Sequence, residues 1–182
     1  MKKAFLTILS VVASLGIASA QDLKFGHINM QEVVFLMDEM DSARVQLDKY
    51  NKEIQDTYQA MATEYQEKIN TYQQMGANWS PAVLQAKEQE IRDIEARLQQ
   101  YQATAQNDMQ AMQQQLIAPI QKKANEAVAK VAKANGLIYV FDISMGSVPY
   151  YSETLSQDIT AQVKAELKIR ADKKLPQQGT GM

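Results

Sequence analysis

The sequence has no cysteine and a single histidine, His27, among its 182 residues. Without cysteine, thiol catalysis, disulfide bonds, zinc fingers and iron–sulfur clusters are excluded. One histidine excludes a multi-histidine metal site and gives no support to a histidine-based catalytic triad. We therefore expect no catalytic residues, no cofactor and no bound metal, and so a protein that is not an enzyme.

The chain also lacks an excess of basic charge. It has 19 Lys and Arg against 21 Asp and Glu, a formal net charge of -2. Because binding to a phosphate backbone needs a basic surface, we expect no nucleic-acid partner. Aromatic residues make up 7% of the chain and hydrophobic residues 46%, a balance that favours helices over a large globular core.

Glycine and proline are scarce in the middle of the chain. Residues 27–135 contain one glycine and two prolines, so this stretch is expected to be mostly helical. The break falls at residues 76–81, where Ser80 can cap a helix and Pro81 suits its first position. The sequence thus predicts one helix ending near Met75 and a second beginning near Pro81.

Apolar residues follow an eleven-residue repeat, with spacings of three and four, in both of these helices. Such a repeat has about 3.67 residues per turn, so the apolar seam runs almost straight. Two seams facing each other predict an antiparallel hairpin folded about residue 78, an arm over residues 38–118. At about 1.5 Å per residue, its 38 residues per side would project roughly 57 Å. The seam residues are Leu47, Tyr50, Ile54, Tyr58, Met61, Tyr65, Ile69 and Tyr72, then Leu98, Tyr101, Ala105, Met109, Met112, Leu116 and Ile120.

The first twenty residues have the features of a secretory signal peptide. Lys2 and Lys3 precede an apolar run, and Ala18-Ser19-Ala20 supplies small residues for cleavage after Ala20. The alternative is a membrane anchor, but the run is shorter than the ~20 residues that a spanning helix needs. We expect residues 1–20 to be removed, with no stable membrane anchor, and the mature chain to work outside the cytoplasm.

The two ends of the chain differ from the arm. Phe25 to Ile28, residues 137–143 and residues 148–151 are predicted strands. A short helix capped by Asp158 follows, and the tail at residues 176–182 is expected to be disordered.

These segments predict a small β body, residues 21–37 and 119–175, into which the arm is inserted. Three strands do not make a stable core alone, so other copies of the chain are expected to complete it. The fold class is therefore a mostly helical α+β protein with a long helical hairpin. The residues expected in the oligomerising body are Phe25, Ile28, Ile138 and Val140.

This layout resembles the Skp/OmpH family of periplasmic chaperones over essentially the whole mature chain. The residues that carry the resemblance are Phe25-Gly26-His27-Ile28-Asn29-Met30, Gly136 to Asp142, Val148-Pro149-Tyr150 and Asp158-Ile159-Thr160. The resemblance implies a periplasmic homotrimer with three arms around a cavity, which holds unfolded outer-membrane proteins without ATP and prevents their aggregation. Family members often have basic arms, whereas residues 38–118 here carry 7 basic and 13 acidic side chains, so lipopolysaccharide or anionic-lipid binding is not carried over.

The alternative function is a structural coiled-coil adaptor of the bacterial envelope, which would bind one defined partner at its tip. Within the chaperone hypothesis, the candidate client contacts are Met75, Trp79 and Met112. Trp79 could instead pack within the tip. Pro119, which removes a helical hydrogen bond to Gln115, is either a hinge between arm and body or a static kink.

Export should remove residues 1–20, because the small residues at Ala18 and Ala20 fit the cleavage site. The intact mass and N-terminal sequence of the protein from the periplasmic fraction should show a chain beginning at Gln21. An N-terminus that retains Lys2 in that fraction would contradict the signal-peptide prediction.

Overall fold

The computed structural model describes residues 23–175, so the predicted signal peptide and the predicted disordered tail lie outside the described residues. Helices dominate, and the fold is the expected mostly helical α+β arrangement. The elements, in chain order, are β1 (Lys24–Ile28), α1 (Met30–Leu36), α2 (Asp38–Met75), a 3-10 turn (Gly76–Asn78), α3 (Pro81–Asn135), β2 (Leu137–Asp142), β3 (Ser156–Asp158) and α4 (Thr160–Glu166).

The three strands form one parallel sheet in the order β2-β1-β3. Gly26 lies in the central strand, where neighbouring groups approach closely. A Cβ atom at this position would stand 2.6 Å from Cδ1 of Leu137 and 3.2 Å from the backbone oxygen of Gln157. A larger residue here would therefore force the strands or the Leu137 side chain to move.

The predicted strand at residues 148–151 was wrong. This segment is irregular, and Ser156–Asp158 forms the third strand instead. Pro149 has no backbone N–H to donate to a neighbouring strand, which disfavours pairing there. The true strand was missed because it is three residues long and polar, so it lacks the apolar alternation that marks a strand.

Two adjoining hydrophobic clusters hold the body together. The first gathers residues from the sheet and from α1, α3 and α4, namely Ile28, Val33, Ala127, Val131, Ile159 and Val163. The second lies where the hairpin leaves the body and comprises Met37, Met40, Ala43, Ile120 and Ala124. Leu167 and Ile169 pack against both clusters, so the segment after α4 joins them.

The hairpin begins and ends where the sequence predicts. Helix α2 covers the 38 residues Asp38–Met75, and α3 begins at Pro81 with the Ser80 side chain accepting a hydrogen bond from the Val83 backbone N–H. Helix α3 ends at Asn135 and is capped by Gly136, whose φ of 68° is the left-handed conformation that glycine tolerates.

The eleven-residue seam is confirmed as the packed face of the hairpin. All of its members are buried or half-buried, with Ala105 and Ile120 the most enclosed. The fold axis lies slightly beyond residue 78, because the Lys68–Glu90 contact has its midpoint at residue 79 and the Tyr72–Glu88 contact at residue 80. The axis is therefore displaced by one or two residues, which changes each residue's partner on the opposite helix by two to four residues.

Truncation of Ile159 should destabilise the body strongly, since the side chain is 0% exposed at the centre of the first cluster. Ile159→Ala should cost about 2–5 kcal/mol of unfolding free energy, through lost burial and the cavity left behind. The matched control is Val45→Ala, because Val45 is 68% exposed on α2. Denaturant unfolding at a fixed protein concentration measures both variants, and equal losses would contradict this description of the core.

Candidate functional site

The tip of the arm presents an uncharged, partly apolar surface. Residues 69–86 contain no Asp, Glu, Lys or Arg. Within this run Met75 is 51% exposed and Val83 is 41% exposed, while Trp79 is half-buried. The absence of charge over residues 69–86 is visible in the sequence and is a sign of a contact surface. Only Met75 and Trp79 of this run were predicted as contacts.

Trp79 packs against its own arm. Its ring meets that of Tyr72 edge-on, with 6.0 Å between centroids and 65° between planes. The Tyr72 hydroxyl donates a hydrogen bond of 2.7 Å to Oε1 of Glu88, which raises the pKa of Tyr72 because the bond is lost on ionisation. This pair holds one side of Trp79 and leaves the rest of the indole at the surface.

Met112 and Pro119 lie further down α3. Met112 is half-buried on the seam, so only part of its side chain reaches the surface. Helix α3 continues through Pro119 without a break, and Ile120, the next residue, belongs to the second cluster. Pro119 therefore stands at the junction of arm and body, where its missing N–H leaves one carbonyl unpaired by the helix.

An exposed aromatic face covers one side of the sheet. Phe25 stacks with Tyr139 at 6.4 Å and with Phe141 at 6.5 Å between ring centroids, and Tyr139 stacks with Phe141 at 6.1 Å. Tyr139 nevertheless remains 62% exposed. The face continues into a cavity of about 300 Å³, whose other lining residues include Val148, Tyr150, Tyr151 and Leu155.

The four predicted body residues fall in different surroundings. Phe25 and Ile138 are 36% and 48% exposed, so both are accessible at the surface. Val140 is half-buried and packs against the first cluster, and Ile28 is 1% exposed inside it. Ile28 is thus enclosed by its own chain. Sequence periodicity could not show this, because most of the burying residues come from α3 and from residues 159–163, far along the chain.

Ion pairs surround the base of the arm. Lys173 donates to Oδ1 of Asp38 at 2.7 Å and lies 2.6 Å from Oδ2 of Asp41, at the start of α2. The hydrogen bond from Lys173 holds the pKa of Asp38 below its ordinary value. Lys123 of α3 pairs with Glu39, which lowers the pKa of that carboxyl group in the same way. The C-terminal segment and α3 are therefore both tied to the first turn of α2.

His27 is buried within the body. Its Nδ1 lies 2.9 Å from Oγ of Ser156, and its ring packs against Tyr151 at 4.5 Å between centroids. These contacts link β1, β3 and the segment between β2 and β3. They are those of a polar residue that joins structural elements.

The part of the chain that the structure describes offers no group of side chains suited to binding a metal ion. Among residues 23–175, no group of three or more His, Asp or Glu side chains is placed to hold a metal ion. Nor does any helix in this range have the length and apolar character needed to cross a membrane.

A family model described as "Outer membrane protein (OmpH-like)" matches residues 24–167, from the start of β1 to the residue after α4. The match covers most of the chain, and the chain therefore belongs to the OmpH-like family, as the resemblance indicated. At family level this supports a periplasmic chaperone of outer-membrane proteins rather than an enzyme. No curated protein matches the chain.

Proposed function

We propose that this protein is an ATP-independent holdase, which keeps unfolded outer-membrane proteins from aggregating in a cavity between the arms of a periplasmic homotrimer. The observation that carries the proposal is the arm itself. It is a hairpin of two 38-residue stretches with one internal seam and an uncharged tip, and within the described residues no group of His, Asp or Glu side chains is placed to hold a metal ion. Such a long hairpin provides an extended surface for binding rather than a catalytic site.

The clients need such a surface. An exported β-barrel precursor exposes apolar residues and unpaired strand edges, both of which favour aggregation in water. Many weak apolar contacts can shield these segments without one tight site. Met75 at the tip suits this role because its unbranched thioether adapts to varied shapes, and Trp79 and Met112 are the further client contacts in this proposal.

The aromatic face supports self-association. Three short strands make a marginal sheet, and large exposed apolar patches commonly mark interfaces. We assign Phe25, Ile138, Tyr139 and Phe141 to contacts between copies. In this arrangement residues 21–37 and 119–175 form the body, and residues 38–118 form the arm. Ile28 and Val140 contribute by shaping the protomer's own core beneath that face.

Release needs no nucleotide when insertion of the client into the outer membrane is downhill. Arms that splay by different amounts would accommodate clients of different size. Pro119 is the proposed hinge, because the helix there has already lost one backbone hydrogen bond. Bending at this point therefore breaks fewer bonds than bending elsewhere in α3.

Ile138→Asp should dissociate the trimer while leaving the protomer folded. The side chain is 48% exposed in the single chain, so the charge would be buried only on assembly. Analytical ultracentrifugation should give the mass of a monomer, with helical circular dichroism retained. Val45→Asp on the arm is the control and should remain trimeric. A monomeric wild type at micromolar concentration would refute the assignment.

Shortening the arm should weaken holding without dissolving the trimer. Deleting residues 61–71 together with 85–95 removes one eleven-residue repeat from each helix, about 16 Å, and keeps the phase of the seam and the proposed tip contacts Met75 and Trp79. Suppression of precursor aggregation, measured by light scattering without nucleotide, should require more of the shortened protein than of wild type.

The matched control for this deletion is the double substitution Met75→Gln and Trp79→Gln at full arm length. It distinguishes the effect of losing the apolar tip surface from the effect of a shorter arm. Equal protection by the shortened protein would argue against a cavity between arms. Binding of one envelope protein, with no suppression of aggregation for several unrelated precursors, would favour the adaptor instead.

A further inference from the structure

A groove opens between α2 and α3 partway along the arm. Its volume is about 470 Å³, within the range of small ligand sites. It exists because Ala105 is the smallest residue in a seam otherwise made of Leu, Ile, Met and Tyr, so the helices leave a gap there. The apolar part of its lining comprises Ile54, Tyr58, Tyr101, Ala105 and Met109.

The groove is bordered by amide side chains from both helices. They are Asn51 and Gln55 of α2 and Gln102, Gln106, Gln110 and Gln113 of α3. All six are exposed, and within residues 23–175 none has a side-chain hydrogen bond. Elsewhere on the arm, Gln59, Gln66, Gln89 and Gln100 each donate to the side chain four residues further on, while other exposed glutamines in the described part of the chain, such as Gln73, Gln99 and Gln114, resemble the groove amides in having no side-chain hydrogen bond. The groove amides therefore keep their donors and acceptors available.

The spacing of these amides suits an extended polypeptide. Gln102, Gln106 and Gln110 recur every four residues, which on a helix is a step of about 6 Å. Backbone groups on one edge of a strand recur every two residues, a step of about 6.6 Å. Each amide side chain carries both donor and acceptor atoms, as each peptide group does. A row of amides can thus follow a strand edge over a few residues.

The charge of the groove points to the same kind of occupant. None of its lining residues is Asp, Glu, Lys or Arg, although the arm as a whole is acidic. A neutral lining with an apolar floor suits a segment of uncharged residues whose backbone needs hydrogen-bond partners. Unpaired strands of a β-barrel precursor have this character.

We propose that this groove binds one extended strand of an unfolded client, with the bordering amides hydrogen-bonding to its backbone and an apolar side chain entering the gap beside Ala105, against the half-buried Tyr58 and Met109. The inference builds on the proposed holdase function and assigns it a specific site, distinct from the arm tip. It also gives the glutamines around the groove a role that solvation of a helix does not supply.

The sharpest test is to fill the groove with Ala105→Leu. The added atoms would occupy the gap in the seam, so thermal unfolding of the arm should occur at an unchanged or higher temperature. Binding of a peptide of alternating apolar and uncharged polar residues should fall at least tenfold. A site that mattered only for packing would not show these opposite changes. Ala111→Leu, at an exposed position of the same helix, is the control and should bind normally.

A second measurement changes the probe instead of the protein. The same peptide with alternate backbone nitrogens methylated along one edge loses donors on that edge and keeps its side chains. If the amides recognise the backbone, wild-type protein should bind it several-fold more weakly, and Gln102→Ala with Gln106→Ala should remove the difference. Gln100→Ala with Gln114→Ala, at exposed positions bordering no part of the groove, should preserve it.

The outcomes separate this inference from the proposed function. Normal peptide binding by Ala105→Leu, or equal binding of the methylated peptide, would overturn the groove as a strand site even if wild type suppresses aggregation. A lower oligomeric mass for Ala105→Leu would also overturn it, because another copy would then be the occupant. Failure of wild type to protect precursors would overturn the holdase function, and the peptide measurements would still decide the groove.

Discussion

The position of the arm depends on the continuity of α3. One helix of 55 residues forms half of the hairpin and then enters the body, where Ile120, Ala124, Ala127 and Val131 are buried. These residues recur at spacings of four, three and four, so a single helical face serves both the seam and the core. The small alanines let α1, α2 and α4 approach closely. Without this shared face, the arm would be joined to the body only through α2 and its ion pairs.

Scarcity of helix breakers and the eleven-residue repeat were enough to predict both long helices, their ends and the packed seam. These features are local or periodic, and so they can be read from one sequence. The third strand could not be predicted in this way, because Ser156–Asp158 forms a strand through pairing with β1 and not because of its own residue types. The same holds for Ile28, whose burial depends largely on residues more than ninety positions away.

The candidate site was predictable to a smaller degree. The position of Met75 and Trp79 at the arm tip could be predicted because they flank the turn. The half-burial of Trp79 could not, because it depends on the Tyr72 ring. The link from Lys173 to Asp38 joins residues 135 positions apart and has no local signature. The groove could be predicted only in part. An alanine in a seam of large residues is visible in the sequence, but the gap beside it appears only when the two helices are paired.

The contacts at the arm base differ in strength, and this bears on how the arm can move. An exposed ion pair such as Lys123–Glu39 contributes about 0–1 kcal/mol to stability, so this pair holds the arm in position only weakly. The second cluster is apolar and buried, and Leu167 and Ile169 connect it to the first. A rotation of the arm about Pro119 would leave Ile120 and the residues after it in place. Met40 and Ala43 of the second cluster lie on α2 and would move with the arm, so movement at this point strains that cluster as well as the ion pairs at the start of α2.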